Sequence, residues 1–445
     1  MMRMELWREI MERLVLWKAG KQRKPLIIQG ARQIGKTWIM QKFGELHYKH
    51  VAYFNFDSSE ELCREFERTK DPSRLTAVLQ LYAGVPIVPE HTLLIFDEIQ
   101  QSNKALNSLK YFCEQMPEYH VMAAGSLLGV SLSHGDSFPV GKVDFLRMYP
   151  LTFREFLRAD NRPVYDYIEN LTSTDEPLPE IVKGKSTESF RRYMVCGGMP
   201  AAAAAMLSGE GVTVVETIQK NVLTAYALDF AKHAPTHDIP RIAAIWHSIP
   251  SQLARENRKF LYRLVKPGAR AREYKDALLW LEHAGLIYRV FCVTKPGLPV
   301  TAYDDVTAFK IYACDVGLLR AMAGLPAEAL WTESPLYKEF KGALAENVVL
   351  QSLATQYDPI PRYWASKGTA EVDFLVQHGI YLVPVEVKAG ENLNGKSLAV
   401  YARTFCPELA IRYSMRNLKK DGIVLNLPLF MADWTKSLCG QMRYP

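Results

Sequence analysis

Two glycines, a lysine and a threonine follow one another early in the chain with a spacing that suits phosphate binding. Gly30 and Gly35 enclose four residues, and Lys36 and Thr37 come next, which is a full match to GxxxxGK[ST]. The glycines let the backbone curl so that its amides point inward, the lysine reaches the outer phosphates, and the threonine hydroxyl faces Mg²⁺. ATP and Mg²⁺ are therefore the predicted cofactors. The predicted nucleotide contacts are Gly30, Ala31, Arg32, Gln33, Ile34, Gly35, Lys36, Thr37 and Trp38.

An acidic pair stands where such a site needs a metal partner, at the end of an apolar run. Residues 93–96 read LLIF, and Asp97 and Glu98 follow them. An unbroken apolar run of this length is typical of a central parallel strand covered on both faces. We expect Asp97 to bind Mg²⁺ together with Thr37, and Glu98 to act as the base that polarises the attacking water. The alternative for an isolated acidic pair, a solvated turn after a core strand, is less favoured beside the glycine-rich loop.

Further apolar segments supply the rest of a nucleotide-binding sheet. PLIIQ at 25–29 precedes the glycine-rich loop, VAYFNF occupies 51–56, and HVMAAGS occupies 120–126. They predict a sheet with one additional strand between the two motifs. Ser126 is the predicted contact to the γ-phosphate or the water, and a Gly-Ser turn residue is an equal alternative. Four arginines are candidates for an arginine finger, although a surface position is the better expectation for each: Arg147, Arg154, Arg191 and Arg192.

A second set of acidic residues with a lysine occurs near the other end of the chain. Glu346 lies in a helical pattern, Asp373 in the strand-like EVDFLV, and Glu386 with Lys388 in YLVPVEVKA. A carboxylate cluster that binds Mg²⁺, with a lysine beside it, is the minimum equipment for hydrolysing a phosphodiester. In this interpretation Glu346, Asp373 and Glu386 are metal ligands, while Asp373, Glu386 and Lys388 are catalytic.

The spacing of Asp373 and Glu386 raises a problem of register. A hairpin centred on His378 places Asp373 opposite Val383, and simple alternation then puts the two acids on opposite faces. A bulge at Pro384, which has no amide proton for a ladder, would return them to one face. An ordinary hairpin with charged outer positions is the equal alternative.

The formal charge of the chain is +6, and its excess of bases is concentrated in one stretch. Between residues 255 and 275 eight bases face two acids, so this stretch alone has a charge of +6. Residues 274–293 then show a helical pattern, a glycine and an apolar strand, an order that suggests a winged helix. Contact with DNA and a solvated or protein-binding face are equally consistent with the basic stretch. Its bases are Arg255, Arg258, Lys259, Arg263, Lys266, Arg270, Arg272 and Lys275.

Composition narrows the class of protein further. The chain has 445 residues, of which 48% are hydrophobic and 23% charged, and this excludes a disordered or low-complexity protein. Its seven cysteines are scattered without a CxxC pair, which argues against a disulfide framework or a zinc ribbon. No apolar run approaches the ~18 residues that span a bilayer. We expect a cytoplasmic protein without membrane contact, and an exposed linker over 161–188.

Several motifs together resemble one known family. They are GARQIGKTW, TLLIFDEIQ, GSLLGVSL with FPVGKVDFLRMYPLTFREFL, GGMPAA, FKIYACDVGLL, and EVDFLV with PVEVKAG. The chain resembles the prokaryotic AAA+-like P-loop ATPases that carry a C-terminal domain of unknown function of restriction-endonuclease-like, PD-(D/E)XK type. The resemblance implies a Walker A pair in Lys36 and Thr37, a Walker B pair in Asp97 and Glu98, and a sensor in Ser126.

The same resemblance implies a set of nuclease-fold positions in the C-terminal region. The aspartate of that set lacks the preceding proline of the name motif and follows Glu371-Val372 instead. Nuclease activity is therefore open on sequence grounds. The implied positions are Glu346, Asp373, Glu386 and Lys388.

The predicted fold class is α/β. We expect a P-loop NTPase core of AAA+-like type with a parallel sheet over 1–160, a helical or linker region over 161–240, a winged-helix-like domain over 241–330, and an α/β nuclease-like domain over 331–445. The leading functional prediction is a Mg²⁺-dependent ATP hydrolase that acts as a nucleotide-driven switch for its C-terminal domains. The alternatives are an ATP-regulated DNA nuclease and a non-cleaving module that binds nucleic acid or protein. Predicted partners are ATP and, as candidates, DNA, a protein, and further copies of the chain.

Overall fold

The computed structural model describes residues 6–125, 138–255, 258–331, 337–366, 368, 370–391 and 396–441. The chain divides into two compact units. The P-loop unit comprises residues 8–149 together with 283–286, and the C-terminal unit comprises residues 1–7, 150–282 and 287–445. Within the described ranges, every helix is too short or too polar to span a bilayer.

The P-loop unit alternates helices with strands. Its described strands form one sheet in the order β2-β3-β4-β1-β5, and every neighbouring pair is parallel. A short 3₁₀ turn, Ile99–Gln101, follows β3. The elements are α1 (Ile10–Ala19), β1 (Leu26–Gln29), α2 (Lys36–His47), β2 (His50–Asn55), α3 (Glu60–Arg68), α4 (Pro72–Ala83), β3 (Thr92–Asp97), α5 (Asn103–Gln115), β4 (His120–Ala124) and β5 (Asp144–Arg147).

This sheet confirms the parallel core that the apolar runs predict. All six residues of β3 and all five of β4 are buried, as expected for strands covered on both faces. β4 lies between β1, which leads into the glycine-rich loop, and β3, which carries the acidic pair. The additional strand between the two motifs is therefore β4. Because parallel strands end at one edge of the sheet, the residues that follow β1 and β3 lie at the same edge.

The C-terminal unit joins a mostly helical first part to a mixed sheet. Its helices are α6 (Phe153–Asp160), α7 (Arg162–Glu169), α8 (Glu180–Cys196), α9 (Pro200–Leu207), α10 (Val212–His233), α11 (Ile239–Leu253), α12 (Tyr262–Val265), α13 (Ala271–His283), α14 (Val316–Met322), α15 (Lys338–Gln356), α16 (Ser397–Phe405) and α17 (Thr435–Gln441). Its strands are β6 (Ile287–Val293), β7 (Asp304–Ala313), β8 (Arg362–Ala365), β9 (Glu371–His378), β10 (Tyr381–Val387), β11 (Ala410–Ser414), β12 (Lys419–Asp421) and β13 (Val424–Pro428).

The strands of the C-terminal unit form a single sheet among the described residues. Their order is β12-β13-β11-β10-β9-β8-β6-β7. The antiparallel pair β6 and β7 joins the rest through a parallel pairing of β6 with β8, at Cys292 with Tyr363 and Val293 with Trp364. The sheet therefore runs across position 330/331, the domain boundary that the sequence suggests.

The linker expected over 161–188 is wrong for most of that range because helices occupy 162–169 and 180–188, although most of its residues are exposed as expected. Helix α7 occupies its beginning, where the Asn161 side chain accepts from the Val164 amide and a proline stands in the first turn. Val164, Tyr165 and Ile168 are buried, and Glu180 begins the long helix α8. The polar composition of the range concealed one short apolar stripe at helical spacing.

The GGMP and CDVGLL motifs are explained by their contact with each other. The Asp315 carboxylate begins α14 by accepting from the Leu318 amide at 2.9 Å, and it also accepts from the Gly198 amide at 2.5 Å. A Cβ on Gly197 would lie 2.2 Å from an oxygen of the same carboxylate. Burial raises the pKa of Asp315 to about 6, against the backbone hydrogen bonds that lower it. These two motifs therefore have a structural role, since the Asp315 carboxylate joins the turn at Gly198 to the start of α14.

Candidate functional site

The glycine-rich loop connects β1 to the N-terminus of α2, as the pattern requires. Gly30 and Gly35 both have positive φ, of 148° and 93°, which side chains disfavour. A Cβ on Gly30 would lie 2.2 Å from the Met148 carbonyl oxygen. Both glycines are therefore required by the backbone, and the loop leaves its amides around the start of a helix, where phosphates bind favourably.

Arg8 stabilises this loop by hydrogen bonds, although it belongs to none of the sequence motifs. Its guanidinium donates to the carbonyl oxygens of Ile34 at 3.1 Å and Tyr149 at 2.7 Å. The side chain is only 4% exposed. Charged donors to carbonyl oxygens make strong hydrogen bonds when they are buried. Arg8 therefore fixes the loop beside the segment that follows β5.

Lys36 is buried and turned toward its own loop. Its amine donates to the carbonyl oxygens of Gly30 at 2.9 Å and Ala31 at 2.7 Å. Burial lowers the pKa of Lys36 to about 8, while Glu98 and Asp97 act in the opposite direction. Its positive charge is thus poorly compensated by the protein alone, and an anionic phosphate group would stabilise it.

Asp97 receives hydrogen bonds from neutral donors only, as far as the described contacts show. The Thr37 hydroxyl donates to Asp97 Oδ2 at 2.7 Å, and the Tyr53 hydroxyl donates to the same oxygen at 2.9 Å. The Glu98 amide donates to Oδ1 at 3.1 Å. Because the Thr37 proton points to Asp97, the lone pairs of the Thr37 oxygen are left for a cation. The residues present therefore fit Mg²⁺: Thr37 would be a direct ligand, and Asp97 would accept hydrogen bonds from its waters.

Glu98 adopts a left-handed backbone conformation, with φ of 51°, directly after β3. Non-glycine residues rarely adopt this conformation, and it recurs at functional sites. The Gln100 amide donates to Glu98 Oε2 at 2.5 Å. The left-handed turn takes the Glu98 side chain out of the strand alternation that places Asp97 beside Thr37.

The remaining predicted residues of this site are placed as follows. Ala31 to Ile34 form the loop, and Trp38 in the first turn of α2 is 39% exposed. Ser126 lies outside the described residues. Of the arginine-finger candidates, Arg154 pairs with Glu169 and Arg192 pairs with Asp160.

The register expected for the C-terminal hairpin is wrong. The turn consists of Gly379 and Ile380, so His378 pairs with Tyr381 and Phe374 pairs with Val385. Continued by one residue, this register sets Asp373 opposite Glu386 on one face without a bulge. The Val387 amide donates to Asp373 Oδ2 at 2.7 Å, which agrees with that alignment. The pairing passes through Pro384 without a shift.

The acid–lysine cluster, defined as Glu346, Asp373, Glu386 and Lys388, is largely satisfied by cations. Glu386 is 3% exposed in its side chain and accepts from Lys388 Nζ at 3.2 Å and Arg412 Nε at 2.9 Å. No group of three or more His, Cys, Asp or Glu residues that could hold a metal ion occurs in the described part of the chain.

Glu346 is as deeply buried as Glu386, and each side chain is 3% exposed. Its carboxylate forms an ion pair with Arg258 and accepts a hydrogen bond from the Tyr312 hydroxyl at 3.0 Å. Burial raises the pKa of Tyr312 well above its usual range, so its hydroxyl remains a donor. The predicted metal ligand Glu346 is therefore held by residues of its own unit.

The basic stretch 255–275 contains one half-buried base and seven exposed bases. Arg258 is the exception, since its side chain is 15% exposed and is committed to Glu346. The seven exposed bases, called the exposed basic segment below, are Arg255, Lys259, Arg263, Lys266, Arg270, Arg272 and Lys275.

Comparison with family descriptions gives three matches along the chain. An AAA domain matches residues 22–157. Two domains of unknown function match the remainder, DUF8612 over 187–329 and DUF4143 over 341–430. The AAA match coincides with the loop, the acidic pair and the parallel sheet described above. The chain is an ATP hydrolase of the P-loop class.

Solved structures give fainter likenesses. A Walker-type ATPase of Pyrococcus abyssi is similar over 72% of this chain and 96% of its own, at 12% identity and a TM-score of 0.45. Thermotoga maritima RuvB, a Holliday junction branch migration motor, is similar over 64% and 90%, at 14% identity and 0.29. Aeropyrum pernix Orc1 in complex with DNA is similar over 74% and 95%, at 13% identity and 0.26. A comparison with curated proteins finds no match.

Proposed function

We propose that the chain is an ATP-driven switch, in which nucleotide state in the P-loop unit sets the conformation of the C-terminal unit. The observation that carries this proposal is the assembly of Lys36, Thr37, Asp97 and Glu98 beside one loop. These four residues supply the groups that ATP binding and hydrolysis require: a lysine whose charge is poorly compensated, a hydroxyl oxygen and two carboxylates.

Each residue has a distinct part in this proposal. Lys36 leaves the carbonyl oxygens of its loop and pairs with the outer phosphates, and the loop amides orient the same phosphates. Thr37 would hold the metal ion directly, and Asp97 would hold it through its waters. Bound Mg²⁺ supplies charge neutralisation on the phosphates. Glu98 accepts the proton of the attacking water.

A short segment of chain supports the coupling. Residues 283–286 belong to the P-loop unit. The preceding residues of α13, up to 282, and the whole of β6 belong to the C-terminal unit. Gly285 approaches the loop so closely that a Cβ there would lie 3.1 Å from the Ala31 amide nitrogen. A change in the loop on nucleotide binding would therefore displace Gly285 and, with it, the end of α13.

Replacement of Lys36 by alanine tests this proposal. We expect Lys36→Ala to lose ATP binding and to lower turnover at least about 100-fold, because removal of a preorganised cation from phosphate costs that much or more. Lys49→Ala, an exposed lysine of the same unit, is the control. The tryptic cleavage pattern of the C-terminal unit should differ between ADP and a slowly hydrolysed ATP analogue in the wild type only. A pattern that ignores nucleotide would refute the switch.

Nucleic-acid binding by the C-terminal unit is a second proposed function, and the exposed basic segment favours it. Phosphate contacts by lysine and arginine release counterions, so binding should weaken steeply with salt. Reversing the charges of Lys259, Arg263 and Lys266 should reduce the slope of log affinity against log salt by about 0.9 for each phosphate that is no longer neutralised. Reversal of Lys419 and Lys420, both exposed on β12 of the same unit, is the control, and its effect is compared per reversed charge. An unchanged slope would leave the segment as a solvated face.

The contacts of the acid–lysine cluster favour binding without cleavage over nuclease activity. Glu386 and Glu346 are paired with cations of the protein, and a metal ion would first have to displace those partners. We therefore expect no cleavage of plasmid or linear DNA with Mg²⁺ or Mn²⁺ by the wild type. Cleavage that disappears in Asp373→Ala would instead support the nuclease alternative.

A further inference from the structure

Tyr53 contacts the acidic centre of the nucleotide site from a strand that carries none of the predicted site residues. In β2, Ala52 and Phe54 point into the apolar core, while Tyr53 and Asn55 lie on the opposite face. The register with β3 sets Asn55 beside Asp97. Tyr53 therefore lies on the face from which its hydroxyl reaches Asp97 Oδ2, at 2.9 Å.

The direction of these hydrogen bonds is determined by the chemistry of the groups. Asn55 Oδ1 accepts from the amides of Asp57 at 2.9 Å and Ser58 at 3.3 Å, which orients its amide nitrogen. That nitrogen donates to the Tyr53 hydroxyl at 3.3 Å, so the single phenolic proton is left for Asp97. A phenol keeps its proton at neutral pH, so Tyr53 is the donor in its hydrogen bond with Asp97.

Two hydroxyls thus donate to one oxygen of Asp97, and their roles differ. Thr37 is itself placed to be a metal ligand, whereas Tyr53 lies in β2, outside the glycine-rich loop. A carboxylate torsion is soft, and two donors from different elements restrict it more than one. Groups that orient a ligand or its acceptor typically alter metal affinity 10- to 100-fold when they are removed.

We propose that Tyr53 is a positioning residue that sets the affinity of the nucleotide site for Mg²⁺ by holding the Asp97 carboxylate in place. This inference rests on the proposed ATP site. Without the phenolic donor, Asp97 rotates more freely and no longer presents its oxygens to the metal's waters in one orientation. Thr37 loses its fixed acceptor at the same time, so its lone pairs are less well directed.

Another tyrosine of the same unit provides a matched control. The Tyr48 hydroxyl forms a hydrogen bond with His120 Nδ1 at 2.6 Å, and neither residue contacts the loop or the acidic pair in the described hydrogen bonds. Tyr48→Phe removes a hydroxyl that is hydrogen-bonded to His120, and Tyr53→Phe removes one that is hydrogen-bonded to Asp97 and Asn55. Both variants should lose a similar amount of stability, and only one changes the surroundings of Asp97.

The experiment measures binding of a fluorescent ATP analogue to the full chain while Mg²⁺ is titrated, and a parallel titration with excess EDTA reports metal-free binding. We expect Tyr53→Phe to raise the half-saturating Mg²⁺ concentration about 10-fold. Metal-free binding, and turnover at saturating Mg²⁺, should stay within about 2-fold of the wild type. Tyr48→Phe should match the wild type in all three measurements. Asn55→Ala, which leaves the Tyr53 proton unoriented, should shift the Mg²⁺ titration in the same direction by less.

The possible outcomes separate this inference from the function on which it rests. A wild type that binds the analogue without any Mg²⁺ dependence would overturn both. Wild-type Mg²⁺ dependence with superimposable titrations for Tyr53→Phe would overturn the role of Tyr53 alone. If Tyr53→Phe lowers the melting temperature more than Tyr48→Phe does, the Mg²⁺ titration of Asn55→Ala decides between a positioning role and a loss of stability. An unshifted titration for Asn55→Ala would then also overturn the role of Tyr53.

Discussion

The nucleotide site of the P-loop unit and the acid–lysine cluster of the C-terminal unit combine the same residue types, yet they neutralise charge differently. In the nucleotide site Lys36 donates to carbonyl oxygens, and Asp97 accepts from two hydroxyls and an amide. In the acid–lysine cluster Glu386 accepts from both Lys388 and Arg412. In the nucleotide site, the charged groups of Lys36 and Asp97 are hydrogen-bonded to neutral groups and can each bind a ligand of opposite charge. In the acid–lysine cluster, the opposite charges are paired with each other.

This difference shows why residue types alone do not define a catalytic centre. A buried ion pair that is hydrogen-bonded on both sides gains little from a further ligand, because the ligand must first break it. A lysine with a lowered pKa and a carboxylate held by neutral donors both gain from an added opposite charge. The comparison therefore predicts catalytic effects in one site and stability effects in the other.

The largest expected effect tests the catalytic side of the comparison. Glu98→Gln removes the proposed base and should lower ATP turnover about 100- to 1,000-fold, with ATP affinity and melting temperature unchanged. Steady-state hydrolysis and a binding titration measure these quantities. Glu45→Gln, on the exposed side of α2, is the control. Turnover within threefold of the wild type would remove Glu98 from the mechanism.

The matching substitution in the acid–lysine cluster should act on stability. Glu386→Gln leaves Lys388 and Arg412 without their shared carboxylate, and urea denaturation should show a loss of about 2 to 3 kcal/mol. The loss is smaller than for a fully buried pair because the Lys388 side chain is 29% exposed. Glu408→Gln, an exposed acid of the same unit, should change nothing. An unchanged denaturation curve for Glu386→Gln would mean that its charge is not paired in solution.

The Asp315 carboxylate, which is held by backbone amides, is neutralised in a third way, and the pH dependence of stability tests it. The folded-state pKa of Asp315 is raised to about 6, so between pH 4 and 6 the folded chain binds more protons than the unfolded chain. Stability from this group is therefore present at low pH and is lost as the pH rises through 6. Relative to Asp315→Asn, the wild type should lose about 1.4 kcal/mol between pH 5 and pH 7.5. Parallel pH dependences for the two proteins would contradict the raised pKa.

The smallest expected effect concerns the segment that meets the loop. Gly285→Ala and Gly84→Ala both place an alanine at positive φ, of 73° and 64°, and each should cost about 1 kcal/mol of stability. A Cβ at Gly84 meets nothing within 4 Å, whereas one at Gly285 crowds the Ala31 amide. Only Gly285→Ala should therefore weaken ATP binding, by about fivefold in a titration. Equal affinities in both variants would argue against transmission through this segment.

Local patterns predicted the P-loop unit well because its chemistry is local. The glycine spacing, the strand 93–96 and the acidic pair are each contained in a few consecutive residues, and β3 and β4 are buried throughout as expected. The hairpin register failed because Ile380, which looks like a strand residue, belongs to the turn and is 75% exposed. A difference of one residue in the turn moves a side chain to the other face.

The remaining features depend on residues that are distant in sequence. Arg8 reaches carbonyl oxygens 26 and 141 positions away, and Arg258 pairs with an acid 88 positions away. A count of charge in a window treats every base as solvated, so it could not separate Arg258 from its exposed neighbours. Tyr53 left one signal, a hydroxyl between the apolar residues Ala52 and Phe54 of its strand, which tyrosine propensity for strands explains equally well.

The pairing of β6 with β8 determines where the chain can be divided without breaking a sheet. The matches to DUF8612 and DUF4143 end and begin between these two strands, so each description covers an incomplete part of one sheet. Expressed alone, either part would present an uncovered strand edge, a common cause of aggregation. Gene fusions, truncations and domain exchanges should therefore keep residues 187–430 together as one inseparable piece.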